Sequence, residues 1–89
     1  MSLPARMMAI ADIFEALTAA DRPYKKAKTL SEALGIMAFM CRDAHIDPQL
    51  FALFIEEQIY QQYADRYLDP VQIDAVDRQS LLAKAGLVS

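Results

Sequence analysis

The sequence predicts an all-α fold, a small bundle of about four helices. Apolar residues recur at three- and four-residue spacings, Asp-Pro pairs and a Thr-x-x-Glu box mark helix starts, and no run alternates as a half-buried strand does. The chain has 89 residues, of which 55% are hydrophobic. A domain of that length buries only about 60–65% of its unfolded surface. The apolar load therefore implies either a dense core or surface that meets a partner.

The first helix is predicted from about Pro4 to Ala20, with Pro4 in the first turn, where its missing N–H costs nothing. Met7, Ile10, Phe14 and Leu17 repeat at 3-4-3 spacing on one face. Met8, Ala9, Ala11, Ile13 and Ala16 leave little polar face, which predicts burial on more than one side. The second helix begins near Thr29, where Thr29-Leu30-Ser31-Glu32 has capping-box spacing. Its stripe is Leu30, Leu34, Met37 and Cys41, widened by Ile36, Phe39 and Met40. Gly35 inside it predicts close approach of another helix. Asp47-Pro48 starts a third helix with Leu50, Phe51, Phe54, Ile55 and Ile59 on its apolar face, fading near Tyr63. Asp69-Pro70 predicts a fourth, with Val71, Ile73, Val76 and Leu81, ending at Gly86.

Composition excludes several classes. A net charge of −3 argues against non-specific binding to duplex nucleic acid and against a helix-turn-helix reader, which needs a basic recognition helix. Cys41 is the only cysteine, so an intrachain disulfide is impossible and a reducing cytoplasm fits best. No apolar run is long enough to predict a membrane span, and Met1-Ser2-Leu3-Pro4-Ala5-Arg6 lacks the features of a signal peptide.

Chemistry concentrates between Ala11 and Lys26. Asp12 sits in the most apolar helix, with Glu15 one turn on. If Asp12 is buried, its charge must be paired, hydrogen-bonded or metal-bound. Partial exposure, an ion pair with an arginine such as Arg22, and metal ligation all satisfy the spacing. His45, the only histidine, precedes the third helix as a loop or capping residue. Asp21-Arg22-Pro23-Tyr24-Lys25-Lys26 places three cations around a proline turn. Arg22 can fork onto a phosphate while a lysine supplies a point charge, or the segment is a solvated loop whose arginine pairs with Asp21 or Glu15.

The run Pro4-Ala5-Arg6-Met7-Met8-Ala9-Ile10-Ala11-Asp12-Ile13-Phe14-Glu15-Ala16-Leu17-Thr18, followed by Asp21-Arg22-Pro23-Tyr24-Lys25-Lys26-Ala27, resembles the last conserved block of the HD-GYP phosphohydrolases. These are bacterial cyclic di-GMP phosphodiesterases of the HD superfamily. Ser31-Glu32-Ala33-Leu34 and His45-Ile46-Asp47-Pro48-Gln49-Leu50 resemble the family's downstream pattern. The resemblance covers roughly residues 4–56. It implies a piece of a larger HD-type helical domain over residues 1–56, with residues 57–89 a helical tail of unread role.

The resemblance also implies roles. Asp12 corresponds to a metal ligand, and Arg22 and Lys26, with Lys25 beside them, lie by the substrate phosphates. Glu15 stands behind the ligands or partners a nearby cation, and Thr18 caps the helix or supports the turn. The implied cofactor is a divalent metal, Fe or Mn, in the complete domain, with none held stably by this chain. The implied partners are the missing N-terminal part of the HD domain and a cyclic dinucleotide. The His-Asp pair, the Gly-Tyr-Pro motif and the other histidine ligands are absent from this chain. In the family they lie N-terminal to the block seen here, so an inactive fragment of a phosphohydrolase is expected. A non-catalytic helical interaction or oligomerisation module is the competing reading. The apolar excess and Tyr60, Tyr63 and Tyr67 beside acidic residues support it, as they would a homo-oligomer formed through exposed apolar surface.

Overall fold

The computed structural model describes residues 3–19 and 27–87. The predicted helical class holds: among the described residues there are five α-helices, one 3₁₀ turn and no strand. They are α1 (Leu3–Thr18), α2 (Leu30–Arg42), α3 (Pro48–Glu56), α4 (Ile59–Tyr67), the 3₁₀ turn Pro70–Gln72, and α5 (Arg78–Lys84). No described helix is long and apolar enough to cross a membrane.

The predicted starts of the second and third helices are built as their sequences require. Thr29 Oγ1 accepts the Glu32 N–H at 3.3 Å, and Glu32 Oε1 accepts the Thr29 N–H at 2.9 Å. Asp47 Oδ1 accepts the N–H groups of Gln49 and Leu50, with Pro48 in the first turn. Each such cap satisfies donors that the helical ladder leaves unpaired. The stripe Leu30, Leu34, Met37 and Cys41 is buried, as are Leu50, Phe51, Phe54 and Ile55 of α3. Phe39, expected to widen the α2 stripe, is instead exposed.

Two predicted helices are redrawn. The third breaks at Gln58, whose φ of 54° is left-handed, and the chain restarts as α4. The fourth does not start at Asp69. Asp69-Pro70 opens a single 3₁₀ turn, and the helix begins only after Asp77, whose Oδ1 accepts the Ser80 N–H at 3.1 Å. The reason is periodicity. Val71, Ile73 and Val76 do not share a helical face, and Val71 is 88% exposed, whereas Leu81, Leu82 and Ala85 do share one and are buried.

Gly35 is also a correction. A Cβ placed there would meet nothing within 4 Å beyond its own stretch of helix, so among the described residues no neighbouring helix demands a glycine.

The core gathers α1, α2, α3 and α5 around Phe14, Leu34, Met37, Phe51 and Phe54, all fully buried. Phe14 meets Phe54 edge-to-face at 5.8 Å, and an aromatic chain continues through Tyr63 to Tyr67. These rings fix α1 on α3 and α4. A salt bridge from Arg6 to Asp47 ties the start of α1 to the cap of α3. Among the described residues only one side of α1 is covered. Ile10, Ala11, Phe14 and Thr18 are buried, while Met8, Ala9, Asp12, Glu15, Ala16 and Ala19 are exposed. The expectation that so apolar a helix is buried on more than one side is therefore not met within the described residues.

Candidate functional site

Asp12 and Glu15 stand one turn apart on the uncovered side of α1, both exposed. The helix beneath them is held by Phe14, whose ring points the other way into the core, so the carboxylates are carried by a fixed backbone. Neither makes a hydrogen bond or ion pair with another described side chain. Exposure thus removes the need for an internal partner that burial of Asp12 would have imposed.

A hydrolytic metal centre needs several nitrogen or oxygen ligands. Among the described residues no group of three or more His, Cys, Asp or Glu side chains is placed to share one ion. Asp12 fits such a centre as a single oxygen donor whose companions would come from elsewhere. His45 is exposed in the turn before α3, and its backbone N–H donates to Met40 at 2.8 Å. The capping role there belongs to Asp47.

Thr18 is buried at the C-terminal end of α1. Its hydroxyl donates to the carbonyl of Phe14 at 2.9 Å and reaches that of Glu15 at 3.3 Å. Its own carbonyl accepts a hydrogen bond from Gln72 Nε2 at 3.0 Å, and the same nitrogen donates to the carbonyl of Lys28 at 2.9 Å. Gln72 went unread in the sequence, although Asp69-Pro70-Val71-Gln72 has the spacing of a capping box and so hints at an inward-turned glutamine. Tyr67, 59% exposed, lines a shallow depression with Glu15, Thr18 and Ala19. Arg22, Lys25 and Lys26 lie outside the described residues.

Comparison with known proteins defines the class. A family model described as an HD domain matches residues 1–50, and the chain belongs to that family. The matched segment contains α1 with Asp12, the 19–27 segment, α2 and the cap of α3.

The chain is 45% identical over 56 residues to a cyclic di-GMP phosphodiesterase of Pseudomonas aeruginosa, an alignment covering 63% of this chain and 13% of that protein. It is 40% identical over 63 residues to a 3'3'-cGAMP-specific phosphodiesterase of Vibrio cholerae, covering 68% of this chain and 14% of that protein. The chain thus spans about one-seventh of the length of these curated relatives. No solved structure gave a significant match. The sequence resemblance to HD-type phosphohydrolases is borne out at the level of the family.

Proposed function

We propose that this chain is the C-terminal part of an HD-GYP-type, metal-dependent phosphohydrolase that acts on cyclic dinucleotides in bacterial second-messenger signalling. Residues 1–56 are its share of the HD domain. The observation that carries the reading is Asp12, a carboxylate exposed on the uncovered face of α1 within the segment matched by the HD family model. The names of the two relatives support a cyclic dinucleotide as substrate.

In this reading the uncovered face of α1, including Met8, Ala9 and Ala16, receives the N-terminal helices of the domain. Asp12 would hold a divalent metal, Fe or Mn, together with ligands that those helices would supply. A divalent metal held there would supply Lewis-acid chemistry, lowering the pKa of a bound water and polarising a phosphodiester. Arg22 and Lys26, with Lys25, offset phosphate charge, and Glu15 partners a nearby cation. The 89-residue chain alone carries too few ligands and has no phosphodiesterase activity. Left alone, its apolar α1 face promotes self-association.

The test compares the chain with a longer polypeptide containing the N-terminal part of the domain. The expected result is stoichiometric metal and hydrolysis of cyclic di-GMP or cGAMP in the longer form only. Asp12→Asn should lower both metal content and turnover there. Turnover by the purified 89-residue chain, or full metal content in the Asp12→Asn form, would overturn the reading.

A further inference from the structure

The residues beyond 56 bring one large aromatic side chain to the end of α1. Tyr67, at the C-terminal end of α4, is 59% exposed, yet its ring is held. It lies nearly parallel to Tyr63, with centroids 6.2 Å apart and planes 24° apart. Tyr63 in turn meets Phe14 at 6.5 Å and Phe54 at 6.3 Å, both fully buried. Tyr67 is thus the outer end of an aromatic ladder rooted in the core. An aromatic left in water forgoes the gain of burial. A ring already held in place loses little freedom when a second flat group is laid on it.

The ladder ends at a depression of about 250 Å³ lined by Tyr67, Glu15, Thr18 and Ala19. Pockets that bury a drug-sized ligand hold roughly 300–1,000 Å³, so this one suits a single flat ring system rather than a whole dinucleotide. Asp12, Glu15 and Ala19 are exposed and follow one another at three- and four-residue spacing. The Ala19 N–H still donates to the Glu15 carbonyl at 3.0 Å, so the three form one stripe along α1. From Asp12 to Ala19 that stripe rises about 10 Å. A nucleotide with its phosphate at the Asp12 end would lay its base, one sugar away, at the Tyr67 end.

The lining also selects the base. The Thr18 hydroxyl is committed to the carbonyls of Phe14 and Glu15. The Glu15 carboxylate can only accept hydrogen bonds, and it repels phosphate. Guanine presents two neighbouring donors, N1–H and the N2 amino group, on its Watson–Crick edge. Adenine presents one amino group beside an acceptor nitrogen. Single bases are read by stacking on aromatic rings together with hydrogen bonds to that edge. A carboxylate has about four lone-pair sites, so a cation beside Glu15 leaves acceptors for a base.

We infer that Tyr67 is a stacking platform for one guanine base, with Glu15 accepting hydrogen bonds from the base's donor edge. The inference rests on the proposed function for the claim that the base belongs to a cyclic dinucleotide. The base site itself needs only Tyr67 and Glu15, and neither a metal nor a phosphate contact.

Guanosine is the probe, because it has no phosphate. Added to the 89-residue chain at millimolar concentration, it should move the Tyr67 ring protons upfield in NMR spectra and show cross-relaxation between its H8 and that ring. Tyr67→Ala should weaken binding about tenfold, whereas Tyr67→Phe keeps the ring and should bind as the unsubstituted chain does. Adenosine should bind more weakly than guanosine, and Glu15→Ala should abolish that preference while the Tyr67 shifts persist.

An unmoved Tyr67 ring, or Tyr67→Ala binding as tight as that of the unsubstituted chain, would overturn the inference. Equal binding of the two nucleosides would overturn the assignment of guanine. Should Tyr67→Ala not fold, the guanosine contacts of the unsubstituted chain decide the matter. Guanosine bound at Tyr67 with no cyclic dinucleotide turned over by the longer polypeptide would leave the base site standing and remove the phosphohydrolase reading. Turnover with no guanosine contact at Tyr67 would do the reverse.

Discussion

Ser31 gives both of its donors to Asp74: the N–H to Oδ1 at 2.8 Å and the hydroxyl to Oδ2 at 2.5 Å, across 43 residues of sequence. Ser31 is in the first turn of α2, so the carboxylate also sits where a helix favours negative charge. Burial pushes the Asp74 carboxyl up, but hydrogen bonds from the Ser31 hydroxyl and N–H and from Thr29 outweigh it, leaving the group below its ordinary value. A lowered folded value means that the stabilisation is present above the unfolded carboxylate value of about 3.9 and is lost as pH falls through the folded one. Thermal melts should therefore show Asp74→Asn less stable than the unsubstituted chain at pH 7, by about 1 kcal/mol or less for so exposed a group. The difference should shrink below pH 4. A gap that persists at pH 2 would show that the carboxylate's charge is not the stabilising feature.

Gly35→Ala should stabilise the chain. The added methyl meets open space, and alanine gains up to about 1 kcal/mol over glycine inside a helix. For a domain of this size that corresponds to a rise of roughly 4–8 °C in Tm. A fall in Tm would mean that a neighbour outside the described residues approaches this position.

Helix ends explain most of what the sequence left unreadable. Starts are written in side chains: Thr29, Glu32 and Asp47 cap what their spacing predicts, and the buried stripes of α2 and α3 follow from it. Stops are written in backbone conformation. Ala44, Gln58 and Gly86 each take a positive φ at a helix end, and only Gly86 is the residue type that announces it. The break after α3 was hidden because glutamine seldom adopts that conformation. The Asp69-Pro70 start misled because proline fixes one φ but cannot supply the apolar period that sustains a helix. At the candidate site, Asp12 and Thr18 could be picked out from a family pattern. Gln72 could not, because its partners are backbone carbonyls far away in sequence, and carbonyls have no residue signature.

The same contrast yields a paired prediction. After α2, the His45 N–H donates to Met40 and the Ala44 N–H to Cys41; after α5, the Leu87 N–H donates to Leu82 and the Gly86 N–H to Ala83. Both are Schellman closures with the left-handed residue in the same place, φ 65° at Ala44 and 80° at Gly86. An L residue in that conformation costs roughly 1–2 kcal/mol, partly offset by the greater unfolded freedom of glycine. Ala44→Gly should therefore raise stability by up to about 1 kcal/mol, and Gly86→Ala should lower it by about as much. Chemical denaturation of the two variants checks this. Equal signs would show that something other than φ governs the closures.

Cys41 offers a probe of how tightly α2 is held. Its side chain is 4% exposed, facing the core between α2 and the start of α3. Burial pushes its thiol pKa up, and the carboxylate of Asp47 adds to the shift by disfavouring a second negative charge. A raised folded value means that the unfolded chain ionises first as pH rises. Stability is then undiminished below the unfolded thiol value of about 8.5 and declines as pH climbs from there toward the folded value. Two outcomes follow. Alkylation by iodoacetamide at pH 8 should be far slower than for the denatured chain, because only transiently opened molecules present a thiolate. Cys41→Ala should remove the part of the alkaline decline in Tm that the thiol causes, at the cost of a small cavity. Alkylation of the folded chain as fast as that of the unfolded one would mean that the C-terminal turn of α2 opens freely.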